Sequence, residues 1–343
     1  MDDRHDASVA KLGDIAAAAG LRRVHFLAWR DLDDVEAGGS EIHAATIAKL
    51  WAEAGIEVTM RTSYAQGHPP AAVRDGYRVL RRAGRYLVFP RAAGSELLGR
   101  HGPRDGLVEI WNGMPFFSPV WARGPKVVLL HHVHAEMWRM VLGDDAPTLA
   151  RAGELLERRV APLAYRGTRI VTLSDSSKRD IVDQLRFRPD DVAVVEPGID
   201  PRFRAGRGAR RTAAPSLVAV GRLVPVKRLD LLVRAVAEAR EGWGMTLTEA
   251  AACGTPAVAT AIPGHTDAVR DGSSGLLTAG TEEALAAAIV RAVTEPDLMA
   301  RLRSGALARA AELTWEATAL GVLRQLASQT GRLPSPVEDD GAP

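Results

Sequence analysis

Two carboxylates eight positions apart, Glu241 and Glu249, enclose the run Gly242-Trp243-Gly244-Met245-Thr246-Leu247-Thr248. Glycines there let backbone amides come close to a ligand, and a helix starting behind them points its N-terminus back at the same place, which favours anions and above all phosphate. The first carboxylate sits at the mouth of the loop and the second about one turn into the helix. Both are placed to accept hydrogen bonds from ligand hydroxyls, a contact that discriminates strictly against a ligand lacking the OH. The same nine residues also read as a capped helix with solvated acids. A second pattern is Gly221-Arg222-Leu223-Val224-Pro225-Val226-Lys227, where a strand ends, Gly-Arg turns, and Lys227 opens the next helix. Arginine offers a bidentate fork and lysine a point charge, a pair suited to a diphosphate. A cation at a helix N-terminus opposes the dipole unless an anion lies beside it, which favours a functional reading of Lys227.

Three histidines, His131, His132 and His134, follow the apolar run Val127–Leu130. Three histidines can bind zinc. At a strand end, however, His131 and His132 point to opposite faces, and no fourth ligand is evident, so no metal site is expected. The stretch Trp111-Asn112-Gly113-Met114-Pro115-Phe116-Phe117 reads either as the lining of an acceptor site or as a turn with buried aromatics. The single cysteine, Cys253, reads as a small buried residue rather than a nucleophile.

These residues need a scaffold, and the hydrophobic pattern supplies one. Residues 8–20 read as a helix, 24–29 as a buried strand, 41–55 as a helix after a Gly-rich loop, and 56–60 as the next strand, together a βαβ unit. Further strands are expected at 86–89, 107–110, 126–130 and 169–173, a helix at 176–185 and an extended segment at 192–195. Strands alternating with helices imply a parallel sheet covered on both faces. The small, basic, aperiodic stretch 204–214 reads as a linker between an N-terminal domain, 1–203, and a C-terminal domain, 215–330. The second domain should hold strands at 216–220, 256–260 and 275–278, helices at 227–240 and 246–252, and two or three more helices to about residue 329. The Pro- and acid-rich tail 331–343 reads as disordered.

The 343 residues suit two domains. A net charge of +2, from 44 basic and 42 acidic residues, argues against a nucleic-acid protein working by bulk charge. Arginine is so abundant that an individual one is weak evidence of function. One cysteine excludes an internal disulfide, and no apolar run has the length of a signal peptide or membrane span, so a cytoplasmic location is expected. Peripheral contact with a membrane is left open.

Taken in order, Gly221-Arg222 with Lys227, the Glu241/Glu249 pair, Ala250 to Thr260, and Asp271-Gly272-Ser273-Ser274-Gly275-Leu276-Leu277 resemble retaining glycosyltransferases of family 4. Gly38-Gly39-Ser40-Glu41 resembles that family's first Gly-rich loop, and Val171–Lys178 and Glu196-Pro197-Gly198-Ile199-Asp200 resemble its domain-end motifs. The resemblance covers about residues 22–330. It implies an α/β protein of the GT-B fold, two Rossmann-like domains facing a cleft. It further implies transfer of a sugar from a UDP- or GDP-linked donor to an acceptor hydroxyl with retention, without a cofactor. Arg222 and Lys227 would neutralise the diphosphate, Glu241 would hold donor-sugar hydroxyls, and Gly244 and Met245 would offer amides. Glu249 would bind the ribose, Gly38 and Gly39 would approach the phosphates, and His131 would face the sugar, with His132 as the alternative. The acceptor, a glycan, lipid or small molecule, is not legible, nor is the oligomeric state.

The second domain departs from the pattern. Three strands stand where a doubly wound half has about six, and the helix ending near Arg240 runs directly into the Glu241 loop. Two or more strand–helix units of roughly 25–30 residues each are absent at that junction. Two readings follow: a glycosyltransferase with a compressed C-terminal domain, or a non-catalytic remnant or binding protein that retains the first domain.

Overall fold

The computed structural model describes residues 3–134, 147–206 and 243–333. Arg222, Lys227, Glu241, the strand at 216–220, the helix at 227–240, most of the linker and the tail from 334 onward lie outside the described residues. The chain divides into two units. The first takes Met1–Leu173, Lys178–Val195 and Trp315–Pro343, and the second takes Ser174–Ser177 and Glu196–Thr314.

The first unit is built on an eight-stranded sheet. Its strands are β1 (Arg23–Leu27), β2 (Glu57–Thr62), β3 (Ala71–Arg74), β4 (Tyr77–Arg81), β5 (Gly106–Trp111), β6 (Lys126–Leu130), β7 (Arg169–Thr172) and β8 (Val192–Val194). The order is β3-β4-β2-β1-β5-β6-β7-β8, with every pair parallel except β3–β4. The central strands are buried along most of their length, and the run Val127-Val128-Leu129-Leu130 is wholly apolar, as a strand covered on both faces requires. Helices α1 (Asp3–Ala19), α2 (Gly39–Glu53) and α3 (Val88–Leu97) accompany the first half of the sheet. After β1 the chain steps to β2 on one side, and β5 then pairs with β1 on the other. The carboxyl ends of β1 and β5 are therefore the topological switch point, where α/β sheets bind ligands.

Two expectations are corrected here. Residues 86–89 were expected to be a strand, but Val88 and Phe89 start α3, with Val88, Phe89 and Ala92 on its buried face at helical spacing. The strand in this region lies earlier, as the hairpin β3–β4 turned by Asp75-Gly76, both at positive φ (45° and 85°). Asp-Gly between alternating apolar residues is a strong hairpin signal, and it is present in the sequence. The second correction concerns Trp315–Ser328 (α12), expected in the C-terminal domain from its position in the chain. It buries Trp315, Thr318, Ala319, Val322, Leu323, Leu326 and Ala327, a stripe with helical period, within the first unit. There it packs on α1 and α2, the Trp51 indole donates to the Ala319 carbonyl at 3.1 Å, and His5 bonds Glu316 at 3.0 Å.

The second unit contains α8 (Met245–Ala252), β9 (Ala257–Thr260), α9 (His265–Ala268), β10 (Gly275–Thr278), α10 (Glu282–Thr294) and α11 (Pro296–Glu312). Strands β9 and β10 pair in parallel, from Gly275 opposite Ala257 to Thr278 opposite Thr260. Leu276, Ala288, Ala292, Leu298 and Leu302 form its core.

Candidate active site

The β1–α2 loop stands at the switch point and is held from several sides. Asp31, buried, accepts from the buried Arg81 guanidinium through Nε at 2.9 Å and Nη2 at 2.5 Å, which ties the loop to β4. The Trp29 indole donates to the Arg85 carbonyl at 2.9 Å, and the Arg30 guanidinium lies 4.6 Å from the Trp29 ring centre. Glu41 turns back and accepts from the Gly38 amide at 2.7 Å, with Arg30 Nε 3.4 Å from its other oxygen. This return bond fixes the entrance of α2. The first turn of that helix then presents backbone amides and a positive dipole end at the carboxyl edge of the sheet.

The facing loops are bonded to it. Asn112, following β5, donates through Nδ2 to Ser40 Oγ at 3.0 Å, and its Oδ1 lies 3.0 Å from His134 Nε2, which must therefore carry a proton. Glu157 accepts from the His134 amide at 3.0 Å. Loops after β1, β5 and β6 thus meet in one polar network at the place the topology selects. Below it, Glu109 is completely buried and accepts from the Phe116 amide at 2.7 Å, the Ser118 amide at 3.1 Å and the Tyr165 hydroxyl. Burial raises its pKa above the ordinary carboxylate value, and these donors oppose the rise. Trp111 and Phe116 belong to the core. The 111–117 stretch is therefore a turn on buried aromatics, with Asn112 as the residue it offers to the network.

His131 is buried. Its Nε2 lies 2.9 Å from Nδ1 of His43 on α2, with the rings edge to face at 5.0 Å and Trp315 5.8 Å beyond His43. Among the described residues His131 Nδ1 has no hydrogen-bond partner. Burial, then the neighbouring His132 and His134, push the His131 pKa down to about 3, and burial followed by His131 holds His43 well below 6.5. Both rings are neutral, so one nitrogen of the pair donates and the other accepts. His43 was not singled out in the sequence; its only signal is a polar residue on the buried face of α2. His132 is half-buried and stacks on His134 at 4.5 Å. Among the described residues no group of three His, Cys, Asp or Glu could hold a metal ion.

The pair makes stability depend on pH. Each folded-state pKa lies below the unfolded value of 6.5, so the unfolded chain binds protons that the folded chain refuses. Stability is complete above about pH 6.5 and falls below it by up to ~1.4 kcal/mol per pH unit per ring. Urea unfolding from pH 7.5 to 5 should show this slope, and His43→Phe should flatten it. Equal slopes in both proteins would contradict the neutral pair.

In the second unit Gly244 has φ +81° and caps α8. Trp243 before it is buried, with the Arg309 guanidinium 5.6 Å from its ring centre. Arg309 donates to both Glu196 oxygens, at 2.6 and 3.2 Å, and to Glu312 at 2.9 Å, so α11 clamps the 196–200 motif beside the loop. Glu249 is half-buried on α8, and burial, then Asp200, raise its pKa. Gly244, Met245 and Glu249 therefore share one helix start, as Gly38, Gly39 and His131 share one sheet end. Cys253, expected to be buried, is exposed at the end of α8.

The family model for Glycosyltransferase Family 4 matches residues 37–203, and that for Glycosyl transferases group 1 matches residues 237–309. A D-inositol 3-phosphate glycosyltransferase of Acidothermus cellulolyticus is 27% identical over 84% of this chain and 85% of its own length. One from Rhodococcus jostii is 40% identical over 203 residues, 55% of this chain and 44% of its own. The alignment with the Acidothermus protein runs over 389 positions but holds only 84% of the 343 residues here, so that relative has roughly 100 residues without a counterpart. Among solved structures, sucrose-phosphate synthase from Thermosynechococcus elongatus superposes with a TM-score of 0.71 at 15% identity, covering 88% of this chain and 97% of its own. Anabaena HepE, solved with UDP and glucose, superposes at 0.62 and 15%, covering 91% and 100%. With both halves matched in order on this scaffold, the chain belongs to glycosyltransferase family 4 and has the GT-B fold, with a reduced C-terminal domain.

Proposed function

We propose that the protein transfers a sugar from a nucleotide-diphosphate sugar to an acceptor hydroxyl with retention of anomeric configuration. The observation that carries this reading is the Gly38-Gly39-Ser40 helix start at the switch point, bonded through Asn112 to His134 and returned on itself by Glu41. Such a helix start takes phosphate. Gly244, Met245 and Glu249 supply the second helix start, with Glu249 on the ribose hydroxyls and the two amides near sugar and phosphate. Glu241 holds the donor-sugar hydroxyls, and Arg222 and Lys227 neutralise the diphosphate. His131, held by His43, borders the sugar.

In the reaction the bond from the anomeric carbon to the diphosphate oxygen breaks, and a bond to the acceptor oxygen forms on the same face. The acceptor proton passes to the departing diphosphate, whose growing charge Arg222 and Lys227 stabilise. No cofactor takes part in this scheme. Inositol 3-phosphate, the acceptor in the relatives' name, is the first acceptor to try. Proton NMR of the product tests retention: the new linkage keeps the donor's anomeric configuration, and an inverted product would overturn the scheme.

The roughly 100 unmatched positions favour one other reading, a catalytically impaired chain. We place the shortfall at the Arg240–Glu241 junction. A chain impaired there would keep the first unit's ligand and lose the donor.

A further inference from the structure

A cavity of about 710 Å³ opens in the first unit between β2, β4 and α3, and arginine is its commonest lining residue, alongside the apolar Leu80, Pro90 and Leu98. Arg61, Arg78, Arg82, Arg91 and Arg100 line it together with His101. It shares no residue with the Gly38, Asn112 and His131 network. Four arginines elsewhere in this unit are matched to carboxylates: Arg23 to Asp105, Arg81 to Asp31, Arg104 to Glu96 and Arg85 to Glu36. Among the described residues none of the five cavity arginines has a carboxylate within ion-pair distance. The nearest acid on α3, Glu96, is buried and committed to His25 and Arg104. An arginine-rich composition accounts for exposed guanidinium groups but not for an unmatched one in the interior.

Arg61 is that group, 1% exposed. Its Nη1 donates to the carbonyls of Thr62 at 2.8 Å and Leu80 at 3.2 Å, while its Nε is buried with no partner among the described residues. Burial, then Arg91 and Arg82, lower its pKa to about 10, and the smaller opposing pulls of Tyr64 and Glu96 do not restore it. His101 Nε2 is likewise buried with no partner among the described residues. A buried cation lacking a counter-charge is costly unless an anion arrives. Guanidinium forks fit tetrahedral oxyanions bidentately, and the volume is that of a small-molecule site rather than of a lone ion.

We propose that this cavity binds a phosphorylated small molecule carrying at least two negative charges, with Arg61 at its floor and Arg78, Arg82, Arg91 and Arg100 around it. The assignment does not depend on the glycosyl-transfer reading. Pyrophosphate is the probe, titrated calorimetrically into protein holding saturating UDP, so that a nucleotide site is already filled. If UDP does not bind, pyrophosphate can also occupy the Gly38 helix start, and the arginine variants, which leave that start untouched, separate the two sites. The expected result is saturable binding that weakens at least tenfold in Arg78→Gln/Arg82→Gln, and again in Arg91→Gln/Arg100→Gln. All four side chains are exposed, so both variants should keep the wild-type unfolding curve. Binding should also weaken in 0.5 M salt, where the Debye length falls to roughly 4 Å. No saturable binding, or wild-type affinity in both double variants, would overturn the site. Co-sedimentation with phosphatidylglycerol-containing vesicles separates the two sources of phosphate. Sedimentation competed by pyrophosphate and lost in the variants assigns a lipid headgroup, and its absence alongside pyrophosphate binding assigns a soluble ligand.

Discussion

Glu249→Ala is expected to lower kcat/KM for sugar transfer at least 100-fold while leaving the unfolding transition nearly where it is. The two halves of that result have separate causes. A carboxylate on two ribose hydroxyls makes two charge-assisted hydrogen bonds of about 1.5–3 kcal/mol each, and losing both exceeds the roughly 2.7 kcal/mol that corresponds to 100-fold. In the folded chain, by contrast, the Glu249 side chain makes no hydrogen bond or ion pair among the described residues, and its raised pKa shows that burial and Asp200 disfavour its charge. Removing it should leave folding unchanged or slightly improved. The raised pKa adds a pH dependence to binding. Glu249 protonates at a higher pH than an ordinary glutamate, so donor affinity should begin to fall earlier on acidification. A large loss of stability with unchanged kinetics would mean that Glu249 is a folding residue.

Gly244→Val should damage both properties together. At φ +81° a residue with a Cβ sits in the left-handed region, which costs about 1–2 kcal/mol before any contact is counted. An added Cβ would also lie 3.0 Å from His265 Cδ2 and 3.1 Å from Leu247 Cδ1. His265 has little freedom to yield, because its Nδ1 is 3.2 Å from the Thr260 carbonyl. The chain must then move where α8 begins, and the Gly244 and Met245 amides move with it. The expected loss is about 2–3 kcal/mol of stability in urea and at least tenfold in transfer. Stability and rate both within error of wild type would show that neither the backbone conformation nor the amides matter.

Much of this was legible in the sequence because it rests on local regularities. The βαβ unit around Gly38-Gly39 follows from period-3.6 apolar spacing in α2 between two apolar strands. The start of α8 follows from Gly244 and the helix formers behind it. What escaped the sequence depends on contacts between distant residues. Val88 and Phe89 suit a strand by type, and only packing of Val88, Phe89 and Ala92 on one face makes them helical. Trp315–Ser328 follows the second domain in the chain, yet its apolar stripe packs with α1 and α2 of the first. His43 looked like an ordinary helix residue until His131, 88 positions on, was found against it. Asp75-Gly76 is different, since its turn signal is local and stands in the sequence itself.

The shortened C-terminal domain puts the most strain on the functional reading, because it should supply Arg222, Lys227 and Glu241. Nucleotide release tests that point most directly. Wild-type protein and Glu241→Ala are each incubated with UDP- and GDP-linked sugars, with inositol 3-phosphate and with simple sugars as acceptors, and free nucleoside diphosphate is measured. Acceptor-dependent release by the wild type from at least one donor, reduced at least 100-fold in Glu241→Ala, is the predicted result. Release from no donor above the level of the variant would contradict the account.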